Sequence, residues 1–162
     1  MNYELRTKNS KGFTLVEILI VTAILGILAA IVIPEFQAHA TQAKEAAAKE
    51  NLHVLREAIE RYALDHNGVA PGYSGDNPNS TPNNLAFNAQ MILNKAYLSG
   101  NVKNPFSGLT FIRVLTNDQT LDEATAATVP TATFGWIYHP ASKTIKLNWT
   151  GTDSEGIKYF DY

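Results

Sequence analysis

From Phe13 to Ile33 the chain reads FTLVEILIVTAILGILAAIVI, with Glu17 as its one charged residue and none at all from Ile18 onward. These twenty-one residues, wound as a helix rising about 1.5 Å each, span roughly 30 Å, the thickness of a bilayer's hydrocarbon core. A segment so apolar must end in lipid, against copies of itself, or in a core. A carboxylate in hydrocarbon costs roughly 2.5–3.5 kcal/mol on insertion scales. Glu17 therefore needs something that offsets its charge, and the readings of this segment differ in what they supply.

A single-pass anchor explains the apolar run but gives Glu17 no use. A secretory signal explains the basic leader, and Ala38-His39-Ala40 matches the A-x-A cleavage pattern, releasing an exported soluble protein. However, the uncharged run of 16 residues is at or beyond the usual length of a signal's apolar core. A cut at Ala40 would also fall inside the strongest helix-forming stretch of the chain and leave an exposed amphipathic end. A third reading places the cut after Gly12, before the apolar run. Phe13 then gains an α-amino group one helical turn from Glu17. In a bundle of such helices the carboxylate of one chain neutralises the amine of the next, which fixes the stagger between them.

Past Pro34 the helical composition continues through His66, rich in Ala, Glu, Lys and Leu. Glu45 and Lys49, and Glu57 and Arg61, stand four apart with the acid leading, the favoured order for helix ion pairs. Leu52, Leu55, Ile59 and Tyr62 draw one apolar stripe, and Asn67-Gly68 supplies a stop. The expectation is one helix over 13–66, roughly 80 Å long, bent at Pro34 because proline removes a backbone donor. Residues 68–84 are Pro/Gly-rich loop, and 85–98 fits a short amphipathic helix presenting Leu85, Ala89, Ile92 and Ala96 on one face. Strand-like runs follow at 109–115, 133–139 and 144–150, the last two joined by Pro140-Ala-Ser-Lys143. The connection 116–132 has no assigned structure. The fold class is α+β: a long kinked N-terminal helix packed on a small antiparallel sheet head. Trp136, Tyr138 and Trp149 are expected in the head core, against the Leu52–Tyr62 stripe.

The leader carries Arg6, Lys8 and Lys11 against Glu4, a net +2, which favours keeping it in the cytoplasm. With the whole chain at −2, the part after Gly12 carries −4, and without a Lys/Arg cluster no nucleic-acid partner is predicted. There is no cysteine, so disulfides and thiolate metal sites are excluded. His39, His53, His66 and His139 have no metal-ligand spacing, the serines lie in no nucleophile motif, and no phosphate-binding glycine run occurs. The sequence reads as a structural protein and not as an enzyme.

KGFTLVEILIV resembles the cleavage and assembly signal of the type IV pilin and pseudopilin superfamily. The resemblance implies that a prepilin peptidase cuts after Gly12 and methylates Phe13, that Glu17 is the assembly carboxylate, and that Pro34 marks the helix kink. It divides the chain into a cytoplasmic leader (1–12), a transmembrane and assembly half-helix (13–36), and an amphipathic half-helix with a globular head (37–162). LREAIERYALDHNGVAPG, KAYLSGNVKNPFSG and GWIYHPASKTIKLNWTGTDSEG are similar to the major pseudopilin of the general (type II) secretion pathway. The span from Ser107 to Phe134 departs from that pattern. The implied partners are copies of the chain in a helical filament, other pseudopilins, the peptidase, an inner-membrane assembly platform with a cytoplasmic ATPase, and membrane lipid before assembly. The implied location is the bacterial inner membrane with the head in the periplasm, then a periplasmic or surface filament. A type IV pilin for adhesion, twitching or DNA uptake is the rival role. No cofactor is required, but the resemblance implies a structural calcium in the last loop, held by Asp153 and Asp161 with Glu155 or a nearby backbone carbonyl.

Overall fold

The computed structural model describes residues 12–93, 97–122 and 134–162. Leader residues 1–11, Ala96 of the expected short helix, and 123–132 of the long connection lie outside the described residues. The chain forms two compact units, Met1–Ala40 and Thr41–Tyr162. Helix α1 runs Leu15–Asp65 and contains Pro34.

In the first unit every described residue is exposed. Leu15 is 82%, Leu19 63% and Ile27 65% accessible, so the apolar side chains find no core within the subunit. In the second unit α1 is one-sided. Ala48, Leu52, Leu55, Ile59 and Tyr62 are buried, the stripe that the sequence spacing predicts. α1 ends as the sequence indicates. Asn67 and Gly68 both adopt positive φ, and Gly68 N–H donates to the Ala63 carbonyl (2.7 Å), a Schellman closure. His66 stacks on Tyr62 with centroids 3.9 Å apart, while His39 and His53 are exposed.

The short helix differs from expectation. It consists of α2, Asn84–Asn88, capped by the Asn83 side chain, and a wider π-helical turn, Ala89–Leu93. Phe87 and Met91 are its buried residues, whereas Leu85 and Leu93 are about four-fifths and three-quarters exposed. Of the expected face, Leu85 and Ala89 are exposed and Ile92 is partly buried against the core, so the core contact is made chiefly by Phe87 and Met91. Phe87 packs on Tyr138 at 5.2 Å between centroids. One buried aromatic outweighs two flanking leucines, and the π turn breaks the 3.6-residue period on which the expectation rested.

The sheet has three strands in the order β1 (Ile112–Val114), β2 (Trp136–His139) and β3 (Thr144–Leu147). It is mixed, which corrects the expected antiparallel sheet. β2 and β3 pair antiparallel, Trp136 opposite Leu147, but β1 and β2 pair parallel, Ile112 beside Trp136. A parallel pair needs a crossover of a dozen or more residues, and the chain from Leu115 to Gly135 provides that length. The β2–β3 connection is a tight turn, Pro140–Ser142, closed by Lys143 at φ 52°.

Trp136, Tyr138, Ile145 and Leu147 bury one sheet face against the α1 stripe, with Trp149 partly buried at its edge. Each such side chain contributes about 1.5–3 kcal/mol on burial. The NPF segment fastens the start of β2. Buried Asn104 donates from Nδ2 to the Gly135 carbonyl (2.8 Å) and accepts at Oδ1 from Phe106 N–H (2.8 Å). Gly135 is required there, since a Cβ would stand 2.4 Å from the Leu109 carbonyl oxygen.

Candidate assembly site

Gly12, Phe13 and Thr14 precede α1 in non-helical, exposed backbone. A Cβ built on Gly12 meets nothing within 4 Å. The Gly12–Phe13 peptide bond thus lies outside the helix, where its backbone is not committed to the helical ladder.

The helix start is a capping box. Thr14 Oγ1 accepts from Glu17 N–H (3.2 Å), and Glu17 Oε2 accepts in return from Thr14 N–H (3.2 Å) and Thr14 Oγ1 (3.3 Å). This satisfies two of the amide donors that a helix N-terminus leaves open. It also turns the carboxylate back toward Phe13. Oε1 has no hydrogen-bond partner among the described residues. The sequence reasoning placed Glu17 near the helix dipole but missed Thr14; the T-x-x-E spacing was the available signal.

The three residues expected to hold calcium do not come together. Glu155 and Asp161 are exposed, and Asp153 is buried. Asp153 Oδ1 accepts from the Glu155 and Ile157 amides (2.9 and 2.8 Å), Oδ2 accepts from Tyr162 Oη–H (2.7 Å), and the Lys49 ammonium stands 3.6 Å from Oδ2. Among the described residues no three acidic or histidine side chains converge. Calcium takes 6–8 oxygens, and this donor set does not fit it.

A second carboxylate, Glu45, lies buried beside this loop. It accepts from Tyr159 Oη–H (3.0 Å), Ser154 Oγ–H (3.1 Å) and Ser154 N–H (3.3 Å). The expected Glu45–Lys49 and Glu57–Arg61 pairs do not form among the described residues; Lys49 turns to Asp153, and Arg61 lies over the Tyr97 ring. Burial and the Glu45 carboxylate push the Tyr159 phenol up to about 12. Burial and Asp153 raise Tyr162 likewise. Burial alone would raise Asp153, but the Tyr162 hydroxyl, the two amides and the Lys49 ammonium outweigh it and hold its pKa below the ordinary carboxylate value.

Residues 7–33 match the family model for the prokaryotic N-terminal methylation motif. The chain is type IV pilin-like. The pilin-like chain is 40% identical over 62 residues to type II secretion system core protein G of Pseudomonas aeruginosa, covering 38% of this chain and 44% of that one. It is 35% identical over 86 residues to a fimbrial protein of Pseudomonas aeruginosa, covering 53% and 54%. It is 29% identical over 102 residues to prepilin peptidase-dependent protein D of Escherichia coli, covering 63% and 70%. The match to the first two spans about half of their length. No solved structure matches the chain. By length and composition, α1 is the one helix among the described residues able to cross a membrane.

Proposed function

We propose that this pilin-like chain is a structural subunit of a type II secretion pseudopilus. Residues 1–12 act as a leader that a prepilin peptidase removes after Gly12, and Phe13 becomes the methylated N-terminus. The 13–36 half-helix holds the subunit in the inner membrane with the 37–162 portion in the periplasm, and then packs against copies in the filament. Glu17 pairs with the Phe13 amine of a neighbouring copy, and Pro34 accommodates the helix to the bundle. The subunit performs no chemistry; the assembly platform and its ATPase supply the work, and the growing filament helps push exoproteins across the outer membrane.

The observation that carries this reading is the exposure of the whole 15–33 face, with one capped carboxylate at its tip. Lipid can satisfy the apolar side chains, but a carboxylate oriented toward Phe13 gains only where an amine meets it. Intact-mass measurement of the mature protein tests it: a terminus at Phe13 bearing one added methyl is expected. Retention of Met1–Gly12, or a terminus at Thr41, ends the proposal.

A type IV pilus role is favoured by one finding, the longer stretch over which the fimbrial relative matches. Deleting the gene separates the two roles. Loss of exoproteins from the medium with surface fibres intact supports the pseudopilus, and the reverse supports the pilus.

A further inference from the structure

We infer that the Lys49 ammonium takes the place of a bound divalent cation in the 151–162 segment, so that this segment docks on α1 without metal. The inference rests on the head fold and holds for a pseudopilus and a pilus alike. Glu45 and Lys49 stand one turn apart on α1 and face the same segment. Instead of pairing with each other, Glu45 takes Tyr159 and Ser154, and Lys49 takes Asp153. Lys49 Nζ also lies 4.5 Å from the centre of the Tyr162 ring, so the same aromatic that donates to Asp153 receives the cation on its face.

The groups that a metal would need are already engaged. Two backbone N–H groups occupy Asp153 Oδ1, and Oδ2, the oxygen left for a cation, is taken by the Tyr162 hydroxyl and the Lys49 ammonium. The carbonyls of Gly151, Asp153 and Ile157 accept from Tyr159, Gly156 and Asp153 amides at 3.1, 3.1 and 2.8 Å. The Asp153 side chain is 1% accessible, against 50% for Lys49, so the ammonium reaches in from the surface and closes the site.

The test is thermal unfolding of the full chain in detergent micelles, followed by tryptophan fluorescence, in excess EDTA and in millimolar calcium chloride. The wild-type midpoint is expected to be the same in both. Lys49→Ala should lower it by about 2–8 °C in either solution, and Lys49→Arg should recover most of that loss. A wild-type midpoint that rises with calcium overturns the inference. So does a Lys49→Ala midpoint equal to wild type. Neither result touches the Phe13 terminus, so the inference and the assembly proposal fail separately. If Lys49→Ala does not fold, Lys49→Gln and Tyr162→Phe carry the same comparison, with smaller expected losses.

Discussion

The capping box allows the charge-pairing role proposed for Glu17 to be separated from its capping role by mutation. Glu17→Gln keeps an amide oxygen able to accept from Thr14 N–H, so the helix end survives, but it removes the charge. Thr14→Ala does the opposite: it removes the hydroxyl that bonds Glu17 N–H and leaves the carboxylate. The three capping contacts are 3.2–3.3 Å long, at or just past the long end of the usual range, which sets the cap at the lower end of its typical worth, about 0.5–1 kcal/mol. An amine left unmatched in hydrocarbon costs about 2.5–3.5 kcal/mol, roughly a hundredfold in the assembly equilibrium per subunit interface. Precursor cleavage should be normal in both variants. Fibres sheared from cells and quantified by immunoblot should fall about a hundredfold or more for Glu17→Gln. For Thr14→Ala they should fall by no more than about fivefold. Normal fibres from Glu17→Gln, together with their loss in Thr14→Ala, would show that the carboxylate serves only to cap the helix and would refute the charge-pairing argument.

Two further outcomes follow from the head. Gly135→Ala places a methyl 2.4 Å from the Leu109 carbonyl oxygen, where backbone must shift; the expected loss is about 1–3 kcal/mol, measured by urea unfolding. Stability should also fall at both ends of the pH scale. Asp153 has a depressed folded pKa, so its contribution is present above the unfolded value of about 3.9 and disappears as pH falls through the folded one. Tyr159 is raised to about 12, so its contribution is full below the unfolded value of about 10 and is lost as pH rises toward the folded one. Melting temperatures across both windows check this, and Asp153→Asn and Tyr159→Phe should flatten the acid and alkaline limbs respectively.

Much of this molecule is written in local chemistry. The apolar run, the T-x-x-E cap, the 52/55/59/62 stripe and the Asn67-Gly68 stop each act within a few residues, where period and propensity are strong signals. Leu85 and Phe87 show where that signal fails. Both lie on a short helix, and it is the core that α1 and the sheet build around Phe87, Tyr138 on β2 included, that decides which of them is buried. The parallel pairing of β1 with β2 is likewise a consequence of a long connection whose path no local pattern specifies.

Glu45 and Lys49 carry that lesson furthest. Their spacing satisfies the intrahelical rule, yet an exposed helix pair is worth only about 0.3–0.5 kcal/mol. Each side chain finds a stronger partner in a segment more than a hundred residues away, because burial raises the value of every hydrogen bond made there and the cost of every one missed. The same comparison explains Glu17. Its local cap is worth about 1 kcal/mol or less, too little to retain a carboxylate in hydrocarbon against a cost of about 2.5–3.5 kcal/mol. On the proposed function a partner from outside its own subunit supplies the difference, and the Phe13 amine of a neighbouring copy is the cation that cleavage after Gly12 would create there.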